Sequence, residues 1–184
     1  MPSPTSHPIS SRRMLTGAIA GLVATFAMTA AMRQLHRRLP PEERYPLPPR
    51  ELTERMMPEE ARRVAGESGV AEATVAAHFG YGAAAGAFLP LVSRRPSIAT
   101  GGAYGVVVWL LSYLGWIPGF RILKPATDHP IERNLLMIAV HLVWGTSLAI
   151  AHRELRRAEK EIFAAGPHRD AAPAHAGDDR QRLR

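Results

Sequence analysis

Cysteine is missing from all 184 residues. Disulfides and thiolate chemistry are excluded, and any metal or redox group would have to be held by His, Asp, Glu, Met or Tyr. Also missing is any zinc-finger, RNP or comparable signature, although the chain is strongly basic, with a net charge of +7 and a pI near 10.7. Nucleic acid is therefore not an expected partner, and Arg flanking apolar segments is the simplest source of the charge. No phosphate-cradling loop, no nucleophile paired with a base and no pair of carboxylates stands inside an apolar segment. An enzyme is not expected, and neither is a cofactor or a metal.

Charge is also absent from four long stretches. Residues 14–32 (MLTGAIAGLVATFAMTAAM), 75–92 (VAAHFGYGAAAGAFLPLV), 98–118 (IATGGAYGVVVWLLSYLGWIP) and 135–152 (LLMIAVHLVWGTSLAIAH) contain no Asp, Glu, Lys or Arg. A helix needs roughly 20 mostly apolar residues to cross a bilayer. Soluble helices of this length usually carry a charged face. Arg12, Arg13, Arg33, Arg94, Arg95, Arg121, Arg133 and Arg153 bound the stretches. The mean hydropathy near zero averages these runs with polar loops and tails. The fold class expected is all-α: a four-helix transmembrane bundle with short amphipathic loop helices and disordered tails. Its domains are an N-terminal tail over 1–13, a four-span membrane domain over 14–157 and a basic tail over 158–184. The first run has a competing reading as an export signal, since Ser11-Arg12-Arg13-Met14-Leu15 resembles a twin-arginine motif. Its 19 residues exceed the apolar core of such signals, roughly 7–15 residues long.

Small residues recur at i, i+4 spacing in every run: Gly17, Gly21, Thr25 and Thr29; His78, Gly82, Gly86 and Pro90; Gly101 and Gly105; His141, Gly145 and Ala149. Such stripes let helix backbones approach closely in lipid. The five-residue connection 93–97 makes the second and third spans antiparallel neighbours. Between the first two spans, residues 44–50 read as extended because each Pro disfavours helix in the residue before it. A short helix is expected over 51–57, and Pro58-Glu59-Glu60 starts another. Thr127-Asp128-His129-Pro130 opens the last helix, with Asp128 or His129 as its cap. His168 and His175 lie too far apart in a loose tail for a metal site. Four spans put both termini on one side, and Lys and Arg divide 12 to 11 between the two sides, so charge does not orient the chain.

Pro46-Leu47-Pro48-Pro49-Arg50 after the first run, His78 opening the second, His141-Leu142-Val143-Trp144 in the fourth and Arg153-Glu154-Leu155-Arg156 after it form a recognisable set. In these motifs, and in the order and spacing of the runs over most of residues 14–157, the chain resembles the YagU-like family of bacterial inner-membrane proteins. It departs from that pattern at Val140 and in a short, charged segment over 51–74. The resemblance implies a plasma-membrane protein with cytoplasmic termini, and it implies no activity.

Polar residues inside the runs are the only lead to function. At 1.5 Å rise per residue, His78 and His141 fall within roughly 10 Å of the same membrane face. Tyr113, Ser112 and Trp116 fall at that end, as do Thr25 and Thr29. Trp116 and Tyr113 suit an interfacial aromatic belt. Three readings of the histidines stand: interhelical hydrogen-bond partners, the lining of a site for a small molecule, lipid or proton, or axial ligands of a haem or ligands of a metal, in a cavity for which Gly82 and Gly145 make room. The first makes the chain a structural or accessory membrane protein acting through partners. The second makes it a ligand-binding or transport-related protein using His78, His141, Tyr113, Ser112 and Thr25. Expected partners are the lipid bilayer and either a second copy of the chain or another membrane protein.

Overall fold

The computed structural model describes residues 11–166. It contains five helices: α1 (Ser11–His36), α2 (Pro48–Met56), α3 (Glu59–Val92), α4 (Ile98–Gly119) and α5 (Ile131–Glu161). Among the described residues there is no strand. Four of the helices, all but α2, are long and apolar enough to cross a membrane. The bundle is all-α, as its uncharged runs require.

Helix ends follow local chemistry with two departures. Ser97 caps α4, its Oγ accepting from the Thr100 N–H at 3.0 Å. Glu59 and Glu60 sit in the first turn of α3 beside the positive dipole end. The helix over 51–57 instead begins at Pro48, because Pro48 and Pro49 fill a first turn whose N–H groups have no helical partner anyway. The expected cap of α5 is also corrected. Residues 126–128 form a separate 3-10 turn, α5 opens after Pro130, and no side chain caps it. Pro130 holds His129 extended. Asn134 Nδ2 ties the turn down instead, donating to the Ala126 carbonyl at 2.7 Å.

The helices outrun the apolar stretches that seed them. The α1 helix begins at Ser11, inside the expected tail, and α5 runs through Glu161, so residues 158–161 are helical rather than disordered. Residues 162–166 of the expected C-terminal tail are exposed and non-helical, and residues 1–10 and 167–184, with His168 and His175, lie outside the described residues. The α3 helix carries a break at Gly66, where φ is 64°. That left-handed value costs glycine little and other residues much. A short charged helical segment, 59–65, therefore leads into the long apolar part of α3.

Packing follows the small-residue stripes. The α1 helix lies against α3, with Gly17 and Gly21 facing Gly86 and Gly82 so closely that a Cβ on Gly17 would stand 2.5 Å from the Gly86 carbonyl oxygen. The α4 helix lies against α5 in the same manner: Gly101 faces Gly145 and Gly105 faces the His141 backbone. The α1 and α5 helices join the two pairs, burying Ala20, Ala24, Met28, Val140, Trp144 and Leu148. An export-signal role for residues 14–32 would remove a helix that supplies part of this core. An Arg12–Glu159 ion pair at 2.6 Å sets the start of α1 and the end of α5 at one end of the bundle.

The α3 and α4 helices are antiparallel but do not close on each other as their short connection suggests. Their facing surfaces carry large rings, and tyrosines bridge the gap. Tyr104 donates to the Ala85 carbonyl at 2.6 Å, and the Tyr81 hydroxyl pairs with Ser112 Oγ at 2.7 Å. Outward faces of the long helices are apolar, with Leu15, Phe26, Val75, Phe88, Leu111, Leu114, Leu135 and Ile150 exposed. A continuous apolar exterior of that kind is what a soluble chain avoids.

Candidate functional site

At the end away from Ser11, the helices diverge around a cavity of about 570 Å³. Each element contributes through a particular feature. On α1, Thr25, Met28 and Met32 share a face at helical spacing. On α3, Ala73 and Ala77 leave room above His78 and Tyr81. The α4 helix contributes Val108, Ser112, Tyr113, Trp116 and Ile117, a set spaced i, i+4, i+5, i+8 and i+9 along one side of the helix. Residues 111–116 form a π-helical turn, in which the Ile117 N–H bonds back to the Ser112 carbonyl. Both Ser112 and Tyr113, inside this widened turn, line the cavity. Ser112 Oγ donates to the Val108 carbonyl at 2.7 Å and helps hold that turn. Met137, His141 and Trp144 complete the wall from α5.

The α2 helix closes the far end with Leu52, Thr53 and Met56. Its charged residues hold it there. Arg133, only 1% exposed, donates through Nη2 to Glu51 at 2.6 Å and to the Pro46 carbonyl at 3.3 Å. Its guanidinium also lies 4.1 Å from the centre of the Tyr45 ring. Arg50 bonds Glu54 within α2 and Glu67 on α3, and these bonds raise its pKa further above the ordinary arginine value. The loop helix is therefore pinned across the bundle end at both of its flanks.

All five polar residues singled out from the sequence (Thr25, His78, Ser112, Tyr113 and His141) line this one cavity. Their hydrogen bonds divide them. Thr25 is committed to the fold: its hydroxyl donates to the Gly21 carbonyl at 2.7 Å and accepts from Trp144 Nε1 at 3.2 Å. Ser112 is committed likewise, between Val108 and Tyr81. His141 Nδ1 donates to the Met137 carbonyl at 2.7 Å. A carbonyl only accepts, so Nδ1 carries the proton and, in the neutral ring, Nε2 is left as an acceptor. The buried Nε2 of His78 and the buried hydroxyl of Tyr113 have no partner in the protein.

Several expectations need correction here. Tyr113 is buried, which takes it out of an interfacial aromatic belt, while the half-buried Trp116 lines the cavity. Thr29 is exposed and bonds only the Thr25 carbonyl. Gly145 faces the Gly101 backbone and leaves no space there for a haem. Sequence reasoning also missed the methionines. Met28, Met32, Met56, Met57 and Met137 all line the cavity, and the chain has only seven. The Met28/Met32 pair at i, i+4 was a usable signal, but the convergence of three separate segments was not. No charged side chain is in the wall, and no group of three His, Asp or Glu among the described residues suits a metal. Comparison with protein-family models, curated proteins and solved structures finds no match to this chain.

Proposed function

We propose that the protein is a four-span integral membrane protein that binds an apolar small molecule or lipid in the cavity of its bundle. The observation that carries this is the wall itself: five thioethers and six aromatic or imidazole rings around about 570 Å³, with a few hydrogen-bonding groups left unspent. Pockets of this size and character are where proteins hold small ligands. Methionine side chains adapt to irregular apolar shapes. With no carboxylate or cation at the wall, the chemistry available is recognition rather than bond making.

From its resemblance to the YagU-like family we infer a bacterial inner membrane and cytoplasmic termini, an orientation that would put the cavity in the outer leaflet. A reporter fused to the C-terminus should be active only where a cytoplasmic reporter works. Alkaline phosphatase activity at that fusion would reverse the orientation.

To test the binding reading, protein purified gently into nanodiscs would be extracted with organic solvent and also titrated with Nile red. A co-purifying apolar molecule or saturable dye binding is expected, and Ala77→Phe should reduce either by filling the cavity. A protein that carries nothing and binds no apolar probe would overturn the reading.

The second reading, a structural or accessory protein acting through partners, is favoured by one observation. The α3 helix is the least enclosed span, and Ala76, Gly80 and Ala84 lie exposed along one outward stripe. Because the chain lacks cysteine, Gly80→Cys gives a clean crosslinking probe. Efficient disulfide formation between copies in membranes would favour this reading.

A further inference from the structure

The hydrogen-bond inventory of the cavity narrows what it can hold, on the reading that it is a ligand site. No Lys, Arg, Asp or Glu lines the wall. An ionised head group moved into it would lose its hydration with no counter-charge in return. Phospholipid phosphates and fatty-acid carboxylates are thereby disfavoured. Thr25 and Ser112 are already satisfied. The unspent groups are the Tyr113 hydroxyl and His78 Nε2, both buried without partners, and the Nε2 acceptor of His141. Tyr113 is only 4% exposed, so water does not readily replace a missing ligand atom. Tyr81, Tyr113, Trp116 and Trp144 add flat aromatic surface beside the two imidazoles. Rings of this kind prefer offset or edge-on contact with another ring.

We propose that the cavity takes a neutral lipid whose head is a flat oxygen-bearing ring of the quinone or quinol class. Its ring lies among the aromatic side chains. A carbonyl oxygen accepts from Tyr113 or His78, and a quinol hydroxyl donates to His141 Nε2. The tail leaves past Met56 of α2 and Tyr81 of α3, the exposed large residues of the wall. The methionines accommodate the first branched units of the tail.

The test uses the full chain in phosphatidylcholine nanodiscs, titrated with a decyl-substituted benzoquinone. Trp116 and Trp144 in the wall report occupancy through fluorescence quenching. Saturable quenching is expected, with Tyr113→Phe and His78→Leu each weakening binding about 10-fold, the loss of roughly one hydrogen bond. Tyr113→Phe keeps the ring and so keeps the packing, which guards against a folding artefact. Competition in the unaltered protein provides a second measurement free of substitutions: a quinol of the same tail should displace the quinone and monooleoylglycerol should not. Displacement by monooleoylglycerol, or saturable binding of that lipid alone, would overturn the ring assignment while leaving the ligand cavity standing. Quenching that neither variant alters would overturn the placement of the head. Failure of both the quinone and the neutral acyl lipid to bind would overturn the cavity reading as well.

Discussion

The two ends of this bundle are built on opposite rules. Near Ser11 and Glu161, helices meet backbone to backbone through facing glycines, with no side chain between them. Toward α2, the same four helices are held apart by methionines, tyrosines and tryptophans around open space. The first arrangement fixes helix positions because backbone atoms have nowhere to move. The second tolerates rearrangement because its side chains are long and flexible. The shortest connection did not decide which helices closed on each other. Five residues join α3 to α4, yet each closes on the long helix across its other, longer connection, α3 on α1 and α4 on α5.

The largest test of this contrast enlarges residues at both ends. Gly145→Leu would place a side chain against the Gly101 backbone, and Gly21→Leu against Gly82. Each should destabilise the fold by about 3 kcal/mol, the upper end for overpacking, since backbone does not repack. Ala77→Leu at the cavity and Leu110→Ala on the exposed face should stay within about 0.5 kcal/mol. Unfolding of the four variants in detergent, followed by circular dichroism, compares them. Equal losses across the set would erase the distinction between the two ends.

A middle-sized effect is expected at the lid. Arg133→Met should cost about 2 kcal/mol, below the usual figure for a broken buried pair because Glu51 is a quarter exposed. Combining it with Glu51→Met should recover part of that loss in a double-mutant cycle. Hydrogen exchange should quicken over residues 48–56 in Arg133→Met and stay unchanged across the Gly17–Gly86 crossing. Faster exchange at both places would mean that the lid and the glycine crossing are one cooperative unit.

The smallest effect is a pH dependence confined to the lid side. Partial burial, aided by repulsion from Glu132 and Glu42, lifts the Glu43 carboxyl above its ordinary value of 4.5. The folded state thus holds that proton more tightly than the unfolded chain. The resulting stabilisation is complete below the ordinary value and is lost as pH rises through the raised one. Glu43→Gln should flatten stability across that window. A thermal scan series between pH 4 and 7 checks it, with an unaltered slope counting against the assignment.

Much of the framework was readable from residue types alone. Uncharged stretches located the four long apolar helices, and i, i+4 glycines marked the surfaces that touch. Counting rise from the helix starts put His78 and His141 at the same end, and they line one cavity with Tyr113, Ser112 and Thr25. The π-helical turn at 111–116 was not readable, because nothing in Leu-Ser-Tyr-Leu-Gly-Trp demands i→i+5 bonding over an ordinary turn. The lid was legible as an amphipathic segment, but its anchor was not. Arg133 and Glu51 are 82 residues apart, and each had an adequate local explanation as a flank or helix-surface charge.

The sequence by itself determined four apolar helices, their order and the faces on which small residues lie, since these follow from composition and period within each segment. Tertiary structure alone decided that α1 pairs with α3 and α4 with α5, which hydroxyls are consumed by the fold, and that five methionines surround one space. Several small-residue faces compete for partners in such a bundle. The winner depends on how whole surfaces fit, a property that no single segment contains.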